Sequence, residues 1–332
     1  MKKVVILEHG GGELSNQLWN YISLCAYCLE RGYVCENYSF FEYAPWFAVR
    51  PNNLLVRFLF FLPFQILAWL GGYRARVAGL VFRLLKKAVR FAYGFYAQAV
   101  KLKQPAKVVS SGAGVVQLDE SPKKNVLDTV LAKHDTVYCS GWLFRNRAGI
   151  IKHRQAIQNY LEPQPEYWQE AQNFITGLKQ QYQHIVGVHI RQRNSWDTRL
   201  TREQDLSAWD EYRAKPYFYE VHFGFVLDFL KEYARVFRKD LSSTCFVVCS
   251  NKSIKPTDFP GLHWVFCGKT LIQDILTLAQ CDSLVGSNSS LSALASWWGN
   301  HALVPIQKQP DWDYYLGQDQ YFEDKYLTAV NY

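Results

Sequence analysis

Two arginines separated by one residue, Arg191 and Arg193, directly follow the apolar run Ile185-Val186-Gly187-Val188-His189-Ile190. A guanidinium stays charged at any working pH and presents paired N–H donors, so two of them just past a strand end suit the oxygens of a diphosphate. The plain alternative is surface salt bridging, to Asp197 or Asp205 for instance, and the residues alone leave both open. A second candidate is the stretch 274–299, DILTLAQCDSLVGSNSSLSALASWWG. Asp274 stands on a helical run, 283–286 reads as a short strand, and Ser287-Asn288-Ser289-Ser290 makes a polar turn into a helix ending in Trp297-Trp298-Gly299. The first amides of a helix lack partners, its dipole is positive there, and serine hydroxyls add donors, so such a turn suits an anion. Ser and Asn are also the usual N-caps, and taken alone the turn reads as a cap. A third candidate is the turn His9-Gly10-Gly11-Gly12 near the N-terminus, where glycines let backbone approach a ligand. The spacing of a dinucleotide-binding G-x-G-x-x-G is absent from it.

The elements that must position these residues alternate along the chain. Residues 3–7 read as a buried strand, and Leu14, Leu18, Ile22, Cys25 and Leu29 recur at helical period until Gly32 closes the run. A strand is predicted at 135–139, with helices across about 147–161 and 166–183. The second half starts afresh with a strand at 185–190, a long helix over 217–237, strands at 245–249 and 264–266, a helix at 271–280 and a last strand at 302–306. This alternation predicts an α/β fold with parallel sheets covered by helices on both faces. Two halves that each begin on a fresh strand predict two Rossmann-like domains facing one another, 1–165 and 166–332, with ligands beyond the strand C-termini.

Charge is placed unevenly over the 332 residues. Between Glu42 and Asp119 there is no acidic residue, while eleven basic ones fall there, which leaves 26 basic against 29 acidic, or −3, for the rest of a chain whose net charge is +8. The same segment is greasy. Residues 54–70 are nearly all apolar, but Arg57, Pro63 and Gln65 interrupt a run already short for a membrane span. After Gly71-Gly72, apolar positions recur at helical spacing among Arg83, Lys86, Lys87 and Arg90. A basic amphipathic insertion over about 46–104 is therefore expected, with 54–103 drawn to an anionic membrane surface; core helices with solvated lysines are the alternative. Nucleic acid is not expected as a partner, because no recognised binding motif accompanies the charge. Only four apolar residues precede Glu8, too few for a secretory leader, so the expected location is cytoplasmic, peripheral on the inner face of the membrane. The eight cysteines should be reduced and buried, and no His, Cys or carboxylate cluster has metal-binding spacing.

Three motifs in order resemble those of the fucosyltransferase superfamily that includes bacterial and animal α-1,2-, α-1,6- and protein O-fucosyltransferases. Gly12-Glu13-Leu14-Ser15-Asn16-Gln17 is similar to the family's N-terminal Gly-Gly-Leu-Gly-Asn-Gln, and Val188-His189-Ile190-Arg191-Gln192-Arg193 resembles its His-x-Arg-Arg-Gly-Asp. The stretch from Asp274 to Gly299 resembles the C-terminal motif, in which an Asp precedes a Ser-Ser turn and an aromatic-Gly pair ends the helix. Glu13 and Ser15 stand where glycines are usual, and Gln192, Arg193 and Asn194 replace Arg-Gly-Asp.

The resemblance implies a GT-B-like fold and transfer of fucose from GDP-fucose to a glycan or lipid-linked oligosaccharide, with inversion and without a metal. It implies that Arg191 binds the β-phosphate and supports the leaving group, with His189 against the ribose or diphosphate. Asp274 would read the guanine edge, Ser289 and Ser290 would hold phosphate oxygens with Arg193 nearby, and Asn16 and Gly12 would close the site from the N-terminal domain. Inversion onto a hydroxyl requires a proton acceptor. Glu13 is the first candidate, Asp197 the second and Glu8 the third, while the plain reading of Glu13 is a first-turn residue complementing the helix dipole. A transferase using another nucleotide sugar, and a non-catalytic membrane-associated protein that binds a nucleotide or glycan, are the alternatives.

Overall fold

In the computed structural model the chain divides into two compact units, residues 1–164 and 165–332. The structure describes residues 1–10, 12–69, 76–112, 114–119, 125–191, 223–251, 253–268, 270–307 and 309–317, with 67–69 and 76–82 described by backbone alone.

The sheet of the first unit consists of β1 (Lys3–Glu8), β2 (Val34–Asn37), β3 (Val108–Ser110) and β4 (Thr136–Ser140), in the order β2-β1-β4-β3 with every neighbouring pair parallel. Val4, Val5, Ile6 and Leu7 are wholly buried, as a parallel strand covered on both faces requires. Helix α1 (Leu14–Arg31) buries Leu14, Leu18, Ile22 and Cys25. It stops at Gly32, whose φ of 65° is left-handed and whose N–H reaches the Cys28 carbonyl.

The basic insertion is helical and partly in the core. Leu54–Val56, a π-turn at Arg57–Phe61 and Leu62–Trp69 form one helical stretch, α2, followed by α3 (Arg76–Lys103). Phe41 lies 5.6 Å from Phe64 and 5.1 Å from Tyr93, and Phe60 lies 5.0 Å from Tyr93, ring centre to ring centre. Val56, Phe60, Phe61, Phe64, Val89, Tyr93 and Ala97 are buried with them, and the Tyr93 hydroxyl donates to the Leu7 carbonyl. Three basic side chains of α3 are ion-paired while staying partly exposed: Lys86 to Glu42 at 2.8 Å, Arg90 to both oxygens of Glu42, and Lys101 to Glu8.

The second unit opens with α4 (Pro165–Lys179), shorter than predicted, and carries α5 (Phe223–Val236), α6 (Leu271–Ala279) and α7 (Ser290–Gly299). Its strands are β5 (His184–Ile190), β6 (Thr244–Ser250), β7 (His263–Phe266), β8 (Ser283–Gly286) and β9 (Leu303–Pro305), all parallel in the order β9-β8-β5-β6-β7. The first-formed strand, β5, is central; β6 and β7 lie to one side, β8 and β9 to the other. That is a doubly wound Rossmann-like order. Trp297 is fully buried and Trp298 nearly so, which makes the tryptophan pair core rather than a sugar platform. In the first unit the single helix predicted over 147–161 is two, Arg147–Lys152 and Arg154–Tyr160, separated at His153. All eight cysteines are buried, and none of them forms a disulfide.

Candidate functional site

In the second unit the strand order reverses between β5 and β8, and a doubly wound sheet opens its ligand crevice at the carboxyl ends of such a strand pair. The pairing continues past the strands. Ser287 N–H donates to the His189 carbonyl at 2.8 Å, and the Arg191 N–H donates to Ser287 Oγ at 2.9 Å. The backbone that carries Arg191 is thus tied to the turn that begins α7. Ser289 is the N-cap of α7: its backbone is extended and its hydroxyl accepts from the Ser292 N–H at 3.3 Å. Ser290 is the first helical residue and is half-buried.

His189 is the buried centre of this turn. Its Nδ1 lies 2.7 Å from Ser292 Oγ and 3.2 Å from Ser289 Oγ. Ser292 Oγ donates its one proton to the Ser287 carbonyl at 2.6 Å, so it accepts from His189 and the proton of the imidazole sits on Nδ1. Burial, and then the charge of Arg191, lower the pKa of His189 to about 3. A neutral ring with Nδ1 protonated leaves Nε2 as a hydrogen-bond acceptor, able to receive a hydrogen bond from a hydroxyl. Gly286 makes the arrangement possible, because a Cβ there would stand 2.8 Å from Ser292 Oγ.

Asp274 lies in the first turn of α6, after a Thr270 cap that accepts from the Gln273 N–H. Its carboxyl, mostly buried, accepts from Cys267 Sγ at 3.6 Å. Burial, and then Cys267, raise its pKa to about 8, so it carries its proton at neutral pH. Cys249, Cys267 and Asp274 offer ligand atoms within 4.8 Å of one another. The three residues come from β6, the turn after β7 and α6, so their spacing along the chain, which shows no metal-binding pattern, conceals them. Three donors fall one short of a closed structural zinc site. Burial also holds Cys249 well above the usual thiol range, so two of the three groups keep their protons.

In the first unit a cavity of about 630 Å³ lies at the carboxyl end of β1, lined by Glu8, Gly12, Glu13, Glu42, Arg90 and Tyr93 among others. Gly141 N–H donates to the Glu8 carbonyl at 2.8 Å and Ser140 Oγ to the Glu8 carboxylate at 2.8 Å, so this cavity also opens where adjacent strands β1 and β4 end. Glu8 and Glu42 are both neutralised by α3. Glu13 differs: among the described residues it makes no ion pair, and its carboxylate accepts from the Tyr43 hydroxyl at 3.4 Å. It occupies the N-cap position of α1 rather than the first turn, and its side chain makes no capping bond. Gly12 has a φ of 80°, and Asn16 sits where its Cβ would be.

Nine sequence candidates are therefore placed: His189, Arg191, Asp274, Ser289 and Ser290 in the second unit, and Glu8, Gly12, Glu13 and Asn16 in the first. Arg193 and Asp197 lie outside the described residues. Ser292, Cys267 and Tyr43 were missed. Ser292 alone had a local signal, standing three residues after the cap as a capping partner does.

The fold and site define a two-unit α/β protein with a basic, hydroxyl-rich crevice at the switch point of its second unit. No protein-family model and no curated protein sequence matches the chain. Among solved structures it is similar to a mutant of Arabidopsis thaliana FUT1 in complex with GDP, at 12% identity, covering 92% of this chain and 70% of that one with a TM-score of 0.45. It is also similar to POFUT1 in complex with GDP-fucose (11% identity, 90% and 94% covered, TM-score 0.45) and to NodZ α-1,6-fucosyltransferase soaked with GDP-fucose (13%, 92% and 95%, 0.44). These structural neighbours are fucosyltransferases.

Proposed function

We propose that the protein is an inverting glycosyltransferase that moves fucose from GDP-fucose to a saccharide hydroxyl without a metal. The observation that carries this reading is the turn after β8. It ties the backbone of Arg191 to Ser287, beside a neutral His189 and the N-terminus of α7. An arginine whose backbone is tethered beside a helix N-terminus can stabilise a departing diphosphate electrostatically, the task a metal performs in other transferases. The motif resemblance names the nucleotide, and the geometry supports an anion site at this turn.

In this reading the acceptor oxygen bonds to the anomeric carbon as the carbon–oxygen bond to the β-phosphate breaks, and GDP leaves with the electron pair. We propose Glu13, a cavity carboxylate that makes no ion pair among the described residues, as the group that takes the acceptor proton. Asp274, once ionised, accepts from the two guanine donors. Thermal stability with GDP, UDP and ADP, each with and without EDTA, tests the donor assignment first. A shift with GDP alone that EDTA leaves intact supports it. Equal shifts point to another nucleotide sugar, and no shift in any of the three sinks the donor site. Transfer from GDP-fucose should then fall at least 100-fold in Arg191→Ala.

A further inference from the structure

Helix α3 has two opposite faces, and only one of them is used by the fold. At about 100° per residue, Leu84, Phe91, Phe95 and Leu102 fall on one line within roughly 40°. They are between 60 and 73% exposed. Val89, Tyr93 and Ala97 lie on the opposite line and are buried, and Tyr93 and Arg90 line the cavity at the end of β1. The exposed face continues through Lys87, Ala88, Ala92, Gly94, Gln98 and Ala99, so it is apolar along its length with a lysine at its edge. Helix α2 repeats the pattern: its π-turn buries Phe60 and Phe61 while leaving Phe58 and Leu59 exposed beside Leu54, Leu55 and Arg57. Bulky apolar side chains gathered this way mark a docking surface rather than scattered surface residues.

We infer that this face seats on an anionic lipid bilayer. The charge around it selects the occupant. No acidic residue occurs from Tyr43 to Leu118, so nothing in the segment repels anionic headgroups, while Arg57 and Lys87 are exposed among the apolar side chains. Lys86, Arg90 and Lys101, whose charge Glu42 and Glu8 take up, sit toward the buried side instead. A second copy of the chain fits less well, because an isologous contact would press two acid-free basic segments together. The segment lies on the bilayer rather than through it: among the described residues no helix is long and apolar enough to cross. Because the opposite face of α3 lines the cavity assigned to the acceptor, an acceptor anchored in the same bilayer would reach that cavity. This last step rests on the transferase reading above; the lipid surface itself does not.

The test is co-sedimentation of the full chain with vesicles of phosphatidylcholine alone and of phosphatidylcholine with 30% phosphatidylglycerol, at low and high salt. Wild type should pellet at least tenfold more with the anionic vesicles, less so at high salt. The double variant Phe91→Ser, Phe95→Ser should lose that pelleting, as should Lys87→Glu in part, while each keeps the wild-type melting temperature and its response to GDP. Wild type left in solution with both vesicle types overturns the inference. So does a wild-type dimer in light scattering that the double variant converts to monomer, since a second copy then covers the face. A chain that binds anionic vesicles but ignores GDP leaves the lipid surface standing and removes the transferase reading.

Discussion

The hydroxyl of Ser292 sits between two carbonyl-level demands, accepting from His189 Nδ1 at 2.7 Å because its own proton is committed to Ser287 at 2.6 Å. One buried serine therefore decides which nitrogen of the histidine faces outward as an acceptor. In nitrogen-15 spectra His189 should be neutral with the proton on Nδ1 and should show no titration between pH 5 and 8. The sign follows from its lowered pKa. The unfolded chain gains a proton below about 6.5 that the folded chain refuses, so stability declines as pH falls from there toward 3. Ser292→Ala should cost about 1–3 kcal/mol by stranding buried polar groups, and should release the tautomer. A wild-type His189 titrating near its ordinary pKa contradicts this account.

Asp274 gives the opposite pH dependence. Its carboxyl keeps a proton up to about pH 8 in the folded chain, while the unfolded chain ionises near 3.8. Stability contributed by the neutral group is complete below pH 3.8 and is lost as pH rises toward 8. Asp274→Asn should therefore melt higher than wild type by a margin that grows from pH 5 to pH 8. If the same carboxyl reads guanine, binding must ionise it. Calorimetry of GDP in two buffers of different ionisation enthalpy should then report about one proton released per GDP at pH 7. Buffer-independent enthalpies would remove Asp274 from the base contact.

Much of this site was legible because its residues are local in sequence. A strand, a serine turn and a helix occur within 283–299, and the β5 strand reads as an unbroken apolar run ending at Arg191. Gly32 was legible for the same reason, since a glycine after the last periodic residue is how helices stop. What was hidden depends on topology. β2 reads Val-Cys-Glu-Asn, and its buried Glu36 is matched by Lys3 at 2.9 Å from the neighbouring strand, a pairing no local pattern can announce. The Cys249–Cys267–Asp274 cluster joins three elements, and the ion pairing within the basic insertion was hidden because Glu42 and Glu8, which neutralise part of it, precede it in the chain.

Gly12 and Gly32 separate two effects that glycine substitutions usually mix. Both have left-handed backbone, but a Cβ at Gly32 meets nothing within 4 Å, whereas one at Gly12 would lie 2.7 Å from Asn16 Cβ. Gly32→Ala should cost only the backbone strain, about 1 kcal/mol. Gly12→Ala should cost that and a displacement of Asn16, roughly doubling the loss in a denaturant titration and widening the turn that precedes Glu13. Equal losses at the two positions would mean that Asn16 yields freely.

Glu13 is the carboxylate on which the proposed proton transfer depends. Glu8 and Glu42 share its cavity, but each is ion-paired to a lysine or arginine of α3. Glu13 has instead the Tyr43 hydroxyl, which orients one oxygen and leaves the other to the cavity. Burial, and then the charge of Glu13, hold the Tyr43 phenol well above its usual pKa, so it remains a donor at any working pH. Glu13→Gln should lower sugar transfer about 100- to 10,000-fold, the span of general-base catalysis. Its melting temperature and its response to GDP should stay at the wild-type values, because Glu13 caps no helix amide. Tyr43→Phe should reduce transfer far less while leaving the fold intact. Full transfer by Glu13→Gln would pass the proton to another group and leave Glu13 a surface residue of the α1 cap.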